Sequence, residues 1–411
     1  MAEEPELGGS VAGTLRMAAL MTARRAQPPR VVDASTLLML SAGGESSRVK
    51  AVQRVVRRVT ADPGYQAWRP PATPWTDGLL DDAGSGVVSQ ALREALLAPR
   101  ATGWPKGGPV RWHVSVAAAL WAALDEARQA GVGVAGHIHL VAGLLRDPAG
   151  ALEGVRADAD ELIAALRAEP AWREPGEPHL PAVAQLDMAR ELHDRTGLLG
   201  WFDRRLRDGE VGDSRYGSAV APSVMWEAMR QAVRLDDGPV TAAHLLLGVV
   251  STGAQLRTAG RTLREGLRPY DSAPDVLHAH GLTARRAVEL LPAVRPADPV
   301  VVPKGRSQRV IRTIWPAWTA EAVGVVDRAV ELARAAGHPA TGSSHLVLAA
   351  LHDAAAANDT DGTAVPLLRA AGADPAAVRA AVEQGLAAVE AAPSPGRRAD
   401  RSPAKARRLS P

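Results

Sequence analysis

The chain has 411 residues and contains no cysteine. Disulfides, thiolate metal ligands and a cysteine nucleophile are therefore all excluded. Lysine is also scarce, and none of the four lysines is followed by Ser or Thr: Lys50, Lys106, Lys304 and Lys405. The sequence therefore lacks a phosphate-binding loop of the form G-x-x-x-x-G-K-[ST], which ATPases of the Walker type require.

Other catalytic motifs are missing or lack their context. No Gly-x-Ser-x-Gly elbow occurs, and the S-x-x-K matches at Ser47 and Ser402 lack the Ser-Asp-Asn and Lys-Thr-Gly elements of serine acyl-transferases. Gly131-Val-Gly-Val-Ala-Gly136 fits G-x-G-x-x-G but falls between two predicted helices, where a helix–helix loop is the better interpretation. We predict no catalytic residue, cofactor or metal site, and expect the chain not to be an enzyme.

No apolar run is long enough to span a bilayer. The first, Val11–Ala23, is interrupted by Arg16, and the chain begins with the acidic stretch Met1–Glu6, where a secretory signal needs basic residues. We therefore expect a protein that does not contact membranes and is cytoplasmic.

Aromatic residues other than Trp are few: one Phe and three Tyr beside ten Trp. Ala, Leu and Val supply most of the remaining apolar area, and Ala and Leu favour helix over strand. The composition therefore predicts an all-α protein. The net charge of +3 is too small to indicate a nucleic-acid-binding surface by itself.

One short motif recurs along the chain at nearly constant spacing. Intervals of 103, 105 and 101 residues separate four positions, the anchors, each of which starts an apolar run: Thr36-Leu-Leu-Met-Leu, His139-Leu-Val-Ala-Gly-Leu-Leu, His244-Leu-Leu-Leu-Gly-Val-Val and His345-Leu-Val-Leu-Ala-Ala-Leu. Repetition at a fixed period indicates a structural repeat. We expect the anchors to be buried near the start of a helix and to bond locally.

The sequence upstream of each anchor has the period of an amphipathic helix. Residues 19, 16, 15 and 12 positions before the His anchors are apolar: Leu120, Ala123, Leu124 and Ala127; Met225, Ala228, Met229 and Ala232; Val326, Ala329, Val330 and Ala333. The first unit has Met17, Leu20, Met21 and Arg24, which marks it as divergent. This spacing predicts one buried helix face in each unit.

Boundary residues divide the repeat into helices. We predict Gly131, Gly238 and Gly337 as helix stops, and Asp33, Thr241 and Ser343 as the N-caps of the anchor helices. Gly281 and Gly372 separate two further helices in the last two units. The prediction is four tandem four-helix units at 1–105, 106–210, 211–310 and 311–392, followed by a disordered basic tail at 393–411.

Val240-Thr-Ala-Ala-His-Leu-Leu-Leu-Gly-Val-Val250 resembles the Clp-N repeat, whose typical stretch is Val-Gly-Thr-Glu-His-Leu-Leu-Leu-Gly-Leu-Leu. The turns Leu277–Thr283 and Leu368–Asp374 resemble the family's Gly turn. A Clp-N domain is a pair of four-helix repeats that recruits substrates or adaptor proteins to a Clp unfoldase. The resemblance implies that the four units pair into two pseudo-twofold domains in tandem.

Some members of that family recognise phosphoarginine through a Glu immediately before the anchor His. The corresponding residues here are Ser35, Ile138, Ala243 and Ser344. None of these side chains can form an ion pair with a guanidinium, which puts that ligand in doubt for this chain.

Two groups of residues have both a structural and a functional interpretation. The anchors His139, His244 and His345 lie one per unit without a catalytic partner in the sequence, which favours a structural role. Six Trp lie in connectors or at unit starts, where packing is favoured over partner binding: Trp68, Trp75, Trp104, Trp112, Trp315 and Trp318. His179 lies in a Pro-rich connector, and we expect its replacement to be nearly neutral.

The leading hypothesis is a non-catalytic protein-interaction module that binds a protein, peptide or small ligand. The alternative is a regulator that contacts nucleic acid through the basic tail, although the tail has no aromatic residues for base stacking. A Clp-associated peptidase activity, by similarity only, is the third choice.

Overall fold

The protein is described here from a computed structural model. It describes residues 5–24, 30–41, 50–65, 86–97, 99, 109–146, 152, 155–192, 215–235, 238–294, 316–352 and 362–391. Within these ranges lie sixteen α-helices and four strands of two residues each. The predicted all-α class is confirmed.

The first half contains eight of the helices, which alternate with the four short strands. In chain order they are β1 (Glu6–Leu7), α1 (Gly9–Ala23), β2 (Val31–Val32), α2 (Ala34–Leu40), α3 (Lys50–Thr60), α4 (Val87–Ala95), β3 (Arg111–Trp112), α5 (Val114–Ala130), β4 (Val134–Ala135), α6 (His137–Arg146), α7 (Ala159–Arg167) and α8 (Pro181–Met188). One hydrophobic core joins side chains from Leu7 to Trp172.

The second half contains the other eight helices. They are α9 (Val220–Arg234), α10 (Ala242–Thr258), α11 (Ala273–Ala279), α12 (Ala284–Leu290), α13 (Ala320–Ala335), α14 (Ser343–Ala350), α15 (Ala364–Ala370) and α16 (Pro375–Ala391). Their core runs from Ala221 to Val382 and is separate from the first, although Leu97 of the first half inserts into it.

Reciprocal backbone pairing joins the first two units. β1, which precedes α1, pairs in parallel with β4 in the connection between α5 and α6. β3, which precedes α5, pairs in parallel with β2 in the connection between α1 and α2. Each unit therefore contributes the segment before its first helix to the helix connection of the other.

The same exchange occurs between the third and fourth units. Val240 precedes α10 and forms a parallel bridge with Trp318, which precedes α13. In return, the amide of Thr341, which lies between α13 and α14, donates to the carbonyl of Tyr216 at 2.8 Å. The two halves thus use equivalent backbone contacts to join their units.

The predicted buried face of the first helix holds in three units and is wrong in the first. Leu120, Met225 and Val326 are fully buried, whereas Met17 and Met21 expose 50% and 40% of their surface. The buried face of α1 is instead Val11, Leu15, Ala18, Ala19, Thr22 and Ala23. The reason is a longer connection: Ala19 lies 17 residues before its anchor, whereas Ala123 lies 16 before His139.

Close approach of α5 and α6 requires glycine four residues after the anchor. A Cβ built on Gly143 would lie 2.3 Å from the carbonyl oxygen of Ala119 and 2.7 Å from the amide of Ala123. Gly248 meets Val224 and Ala228 of α9 in the same way, at 2.6 and 3.1 Å. The small residues predicted on the first helices therefore let the anchor helices pack at backbone distance.

Gly143→Ala is expected to lower the free energy of unfolding by about 1–3 kcal/mol, because the new methyl group must push α5 and α6 apart. Gly133→Ala is the matched control, since a Cβ there meets no atom within 4 Å. Urea unfolding followed by circular dichroism measures both. Equal stability of the two variants would show that α6 does not approach α5 as described.

The two halves are also in contact with each other. α4 packs against both α1 and α9, and α8 packs against α9 and α10. A third apolar cluster gathers around Leu186 of α8 and Leu256 of α10. The amide of Ala182 donates to Gln255 Oε1 at 2.9 Å, which fixes α8 on the second half.

Candidate functional site

All four anchors are buried at the same position of their helices. Thr36, His139, His244 and His345 are the third residues of α2, α6, α10 and α14 and expose at most 1% of their surface. This is the N3 position of a helix, where a side chain can reach back to the N-cap amide.

Each anchor histidine caps its own helix. The Nδ1 atoms of His139, His244 and His345 accept hydrogen bonds from the backbone amide three residues earlier, at 3.1, 3.2 and 3.1 Å. Histidine thus occupies the place that Glu or Gln has in the usual capping box. In the first unit the bond runs the other way, since the Asp33 carboxylate accepts from the amide of Thr36 at 2.8 Å.

The opposite ring nitrogen connects two of the anchors to neighbouring segments. Because Nδ1 accepts, the proton lies on Nε2. His139 Nε2 therefore donates to the carbonyl of Trp172 at 3.0 Å, and its ring lies 4.8 Å from the indole. His345 Nε2 donates to His338 Nδ1 at 2.9 Å.

The N-cap of α14 is Gly342, not Ser343 as predicted, because Ser343 is already the first residue of the helix. A Cβ on Gly342 would lie 2.1 Å from the carbonyl oxygen of Tyr270, so no larger residue fits. The predicted caps Asp33 and Thr241 are in place. Gly131 and Gly337 follow their helices in the left-handed region, at φ 75° and 68°.

The start of each odd-numbered unit's anchor helix also receives a bond from the paired unit. Ser115 Oγ accepts from the amide of Ala34 at 3.3 Å, and Glu321 Oε2 accepts from the amide of Ala242 at 3.5 Å. Ser115 and Glu321 both lie 24 residues before their own anchors. These bonds satisfy amides that a helix leaves unpaired at its N-terminus.

Burial makes the histidines around the anchors weak bases. It lowers the pKa of His137, His244 and His345 from 6.5 to about 4, with nearby His338 adding to the effect on His345. The pKa of His139 is also lowered, chiefly by burial. All four side chains are therefore neutral at pH 7, as Nδ1 acceptance requires at the three anchors.

The residues just before the anchors present no charge. Ile138 and Ala243 are buried in the cores. Ser35 donates to the Asp33 carboxylate at 2.9 Å, and Ser344 Oγ accepts from the amide of Ser272 at 3.1 Å. These positions are therefore occupied by internal contacts.

A buried charge cluster at the contact between the halves was not anticipated from the sequence. This junction cluster consists of Glu94, His179, Glu227, Arg230 and Arg234. Arg230 donates to Glu94 at 2.9 Å and to Glu227 at 2.6 Å, while Arg234 reaches Glu94 at 3.2 Å. Glu94 and Arg230 are 136 residues apart, and no local pattern connects them.

Mutual ion pairing keeps the junction cluster charged. Burial alone would raise the pKa of Glu227, but Arg230 outweighs burial and the result is a pKa of about 2. The pKa of Glu94 is also lowered, because Arg230, His179 and Arg234 together outweigh its burial. His179 Nε2 contacts Glu94 Oε1 at 2.5 Å, so the premise that this connector histidine is uninvolved is wrong.

Tryptophans at unit starts pack inward. Trp112 and Trp318 expose 6% and 2% of their surface, and both lie 27 residues before an anchor. Trp112 Nε1 donates to the carbonyl of Leu92 at 3.2 Å. Trp121 on α5 is 44% exposed. Trp68, Trp75, Trp104 and Trp315 lie outside the described residues, as does the basic tail.

Two general searches covered the described residues. Among them, no three His, Asp or Glu side chains converge in a way that could hold a metal ion. No helix there combines the length and apolarity needed to cross a membrane.

His244→Ala is expected to lower the free energy of unfolding by about 1–3 kcal/mol, because the amide of Thr241 loses its acceptor and a buried cavity forms. His345→Ala should cost a similar amount, since it removes the equivalent bond from α14. His278→Ala on the exposed side of α11 is the control and should be nearly neutral. Chemical denaturation at pH 7.5 measures all three, and an unchanged His244→Ala variant would contradict a capping role.

Comparison with known proteins identifies the last of the four units. No curated protein matched the chain. The family model of the Clp repeat (R) N-terminal domain matches residues 317–410, which include α13 to α16 and the anchor His345. The chain therefore contains a domain of the Clp repeat N-terminal family.

Proposed function

We propose that the chain is a non-catalytic protein-interaction protein built from two tandem Clp-N-like domains. The observation that carries this proposal is the family match of residues 317–410, because domains of this family are protein-interaction modules, as in Clp unfoldases. The ligand is a protein or peptide, namely a substrate or adaptor of Clp machinery in the cytoplasm.

The proposal extends the matched unit to the rest of the chain. The units at 1–105 and 106–210 form one domain, and those at 211–310 and 311–392 form the other. Three observations support this division: two separate cores, reciprocal backbone pairing in each half, and a histidine at N3 in three anchor helices.

In this proposal the anchors stabilise the domains and do not bind the ligand. His139, His244 and His345 expose at most 1% of their surface, and each uses Nδ1 for its own helix. A protein ligand can reach only the outward sides of the helices. Binding therefore belongs to the outer helix faces.

The test is affinity capture with the purified full chain as bait, followed by mass spectrometry. A second bait ends at Ala392 and so lacks the basic tail, and all lysates are treated with nuclease. We expect the same protein partners on both baits, and a purified partner should bind the chain in isothermal titration calorimetry.

Two results would contradict the proposal. Capture that depends on the tail and disappears after nuclease treatment would support the nucleic-acid alternative. Hydrolysis of ATP or unfolded casein by the pure protein, lost on a single substitution in the chain, would show that it is an enzyme.

A further inference from the structure

The first helix has an outward face that combines exposed methionines with two arginines. This α1 outer face consists of Gly13, Arg16, Met17, Leu20, Met21 and Arg24. At 100° per residue these positions occupy one side of the helix, opposite the buried Leu15, Ala18 and Thr22. Met17 and Met21 are 50% and 40% exposed, and a Cβ on Gly13 would meet no atom within 4 Å.

The charge of this face has a single sign. α1 contains no Asp or Glu, and its only charged residue is Arg16, with Arg24 at the C-cap. Both arginines are exposed, and neither forms an ion pair with another described residue. Eight residues separate them, which corresponds to about 12 Å along a helix. The apolar residues therefore lie between two cations.

A first helix elsewhere in the chain already binds another helix through carboxylates. α4 packs against α9, the first helix of the third unit. There Glu94 bridges Arg230 and Arg234, at 2.9 and 3.2 Å, while nearby Leu97 enters the apolar core. The fold thus accommodates a helix that combines an apolar contact with carboxylate–arginine pairs.

The outward faces of the other units differ in charge. On α5, the exposed Trp121 lies beside Asp125, which pairs with Arg128. On α13, Asp327 pairs with Arg215. Among the described first helices, α1 is distinguished by exposed apolar side chains next to arginines that have no acidic neighbour on the same helix.

We propose that the α1 outer face binds an amphipathic helix of a partner protein that carries two carboxylates, about two helical turns apart, at the ends of an apolar stripe. Met17 and Met21 contact the stripe, because methionine adapts to varied apolar surfaces. Arg16 and Arg24 pair with the carboxylates. The inference rests on the proposed function and names the partner's chemistry.

Two synthetic peptides serve as probes. Each is a fluorescein-labelled, helix-forming peptide of about 15 residues with Leu at i, i+3, i+4 and i+7. One carries two Glu eight residues apart beside the Leu stripe, and the other carries Lys at the same places. Fluorescence anisotropy measures binding to the full chain at low salt, where exposed charges are least screened.

Charge reversal provides the decisive variant. We expect the wild-type chain to prefer the Glu peptide, Arg16→Glu/Arg24→Glu to weaken that binding about tenfold, and the same variant to prefer the Lys peptide. Arg173→Glu/Arg334→Glu reverses two exposed arginines outside α1 and should bind like wild type. Circular dichroism confirms that each variant is folded.

Several results would overturn the proposal. Equal binding of both peptides, no binding of the Glu peptide, or no change after reversal would each do so. Flotation with phosphatidylglycerol vesicles that is lost in Arg16→Glu/Arg24→Glu would assign the face to membranes, and a dimer lost in that variant would assign it to a second copy. Captured partners that persist with this variant overturn the α1 assignment alone, whereas an absence of any partner overturns the proposed function.

Discussion

Arg230→Ala is expected to lower the free energy of unfolding by about 3–5 kcal/mol, one of the two largest effects expected in this chain. The guanidinium lies between Glu94 and Glu227 and is itself 9% exposed. Its removal leaves two buried carboxylates with less compensation for their lost hydration. Since Glu94 and Arg230 belong to different halves, the contact between the halves should weaken as well.

Arg215→Ala is the matched control for this substitution. Arg215 pairs with Asp327, but both side chains are about 40% exposed, so the expected cost is below about 1 kcal/mol. Urea unfolding followed by circular dichroism compares the variants, and limited proteolysis of the 174–180 connector reports separation of the halves. An Arg230→Ala variant as stable as Arg215→Ala would show that the junction cluster does not form.

Acidification is expected to destabilise the fold strongly between pH 6.5 and pH 4. The pKa of His137, His244 and His345 is about 4 in the folded chain and 6.5 as the ordinary value. The unfolded chain therefore binds more protons in this window. Stability is fully present above pH 6.5 and is lost as the pH falls towards 4, by about 3 kcal/mol for each histidine.

His244→Gln tests the assignment, because Gln keeps an acceptor at N3 and cannot be protonated. This variant should retain near wild-type stability at pH 7.5 and lose about 3 kcal/mol less than wild type between pH 7 and pH 4. Urea unfolding at a series of pH values measures the difference. Identical pH profiles for wild type and His244→Gln would exclude His244 as a source of acid sensitivity.

The helical repeat was predictable because its signals are local. Leu120, Met225 and Val326 are buried as the 3.6-residue period predicts, and each belongs to a helix of at least fifteen residues. The first unit differs because one extra residue lies between the buried face of α1 and its anchor. Since the anchor there is Thr36, the sequence offered no histidine with which to correct the alignment.

The contacts between units and between halves could not be predicted in the same way. The paired strands are two residues long, too short for the alternation that identifies a strand. Glu94 and Arg230 are both ordinary surface residues by type, and only the packing of α4 on α9 buries them together. His179 likewise becomes important through Glu94 and not through its Pro-rich surroundings.

The capping role of the anchors is intermediate between these cases. Burial and a local bond followed from the apolar surroundings of His139, His244 and His345. The identity of the bond, from Nδ1 back to the N-cap amide, depends on the exact first residue of each helix. That residue was misassigned in α14, where Gly342 is required by its contact with Tyr270.

Disulfide cross-linking tests the pairing of units most directly, because the chain has no cysteine of its own. Glu6 and Val134 are paired across β1 and β4, within reach of a disulfide. Glu6→Cys/Val134→Cys is therefore expected to oxidise to an intramolecular cross-link, visible as a mobility shift on a non-reducing gel. Glu6→Cys/Pro239→Cys, which places the second cysteine at the equivalent position of the third unit, should not. Cross-linking of the second pair without the first would contradict two domains formed by units one with two and three with four.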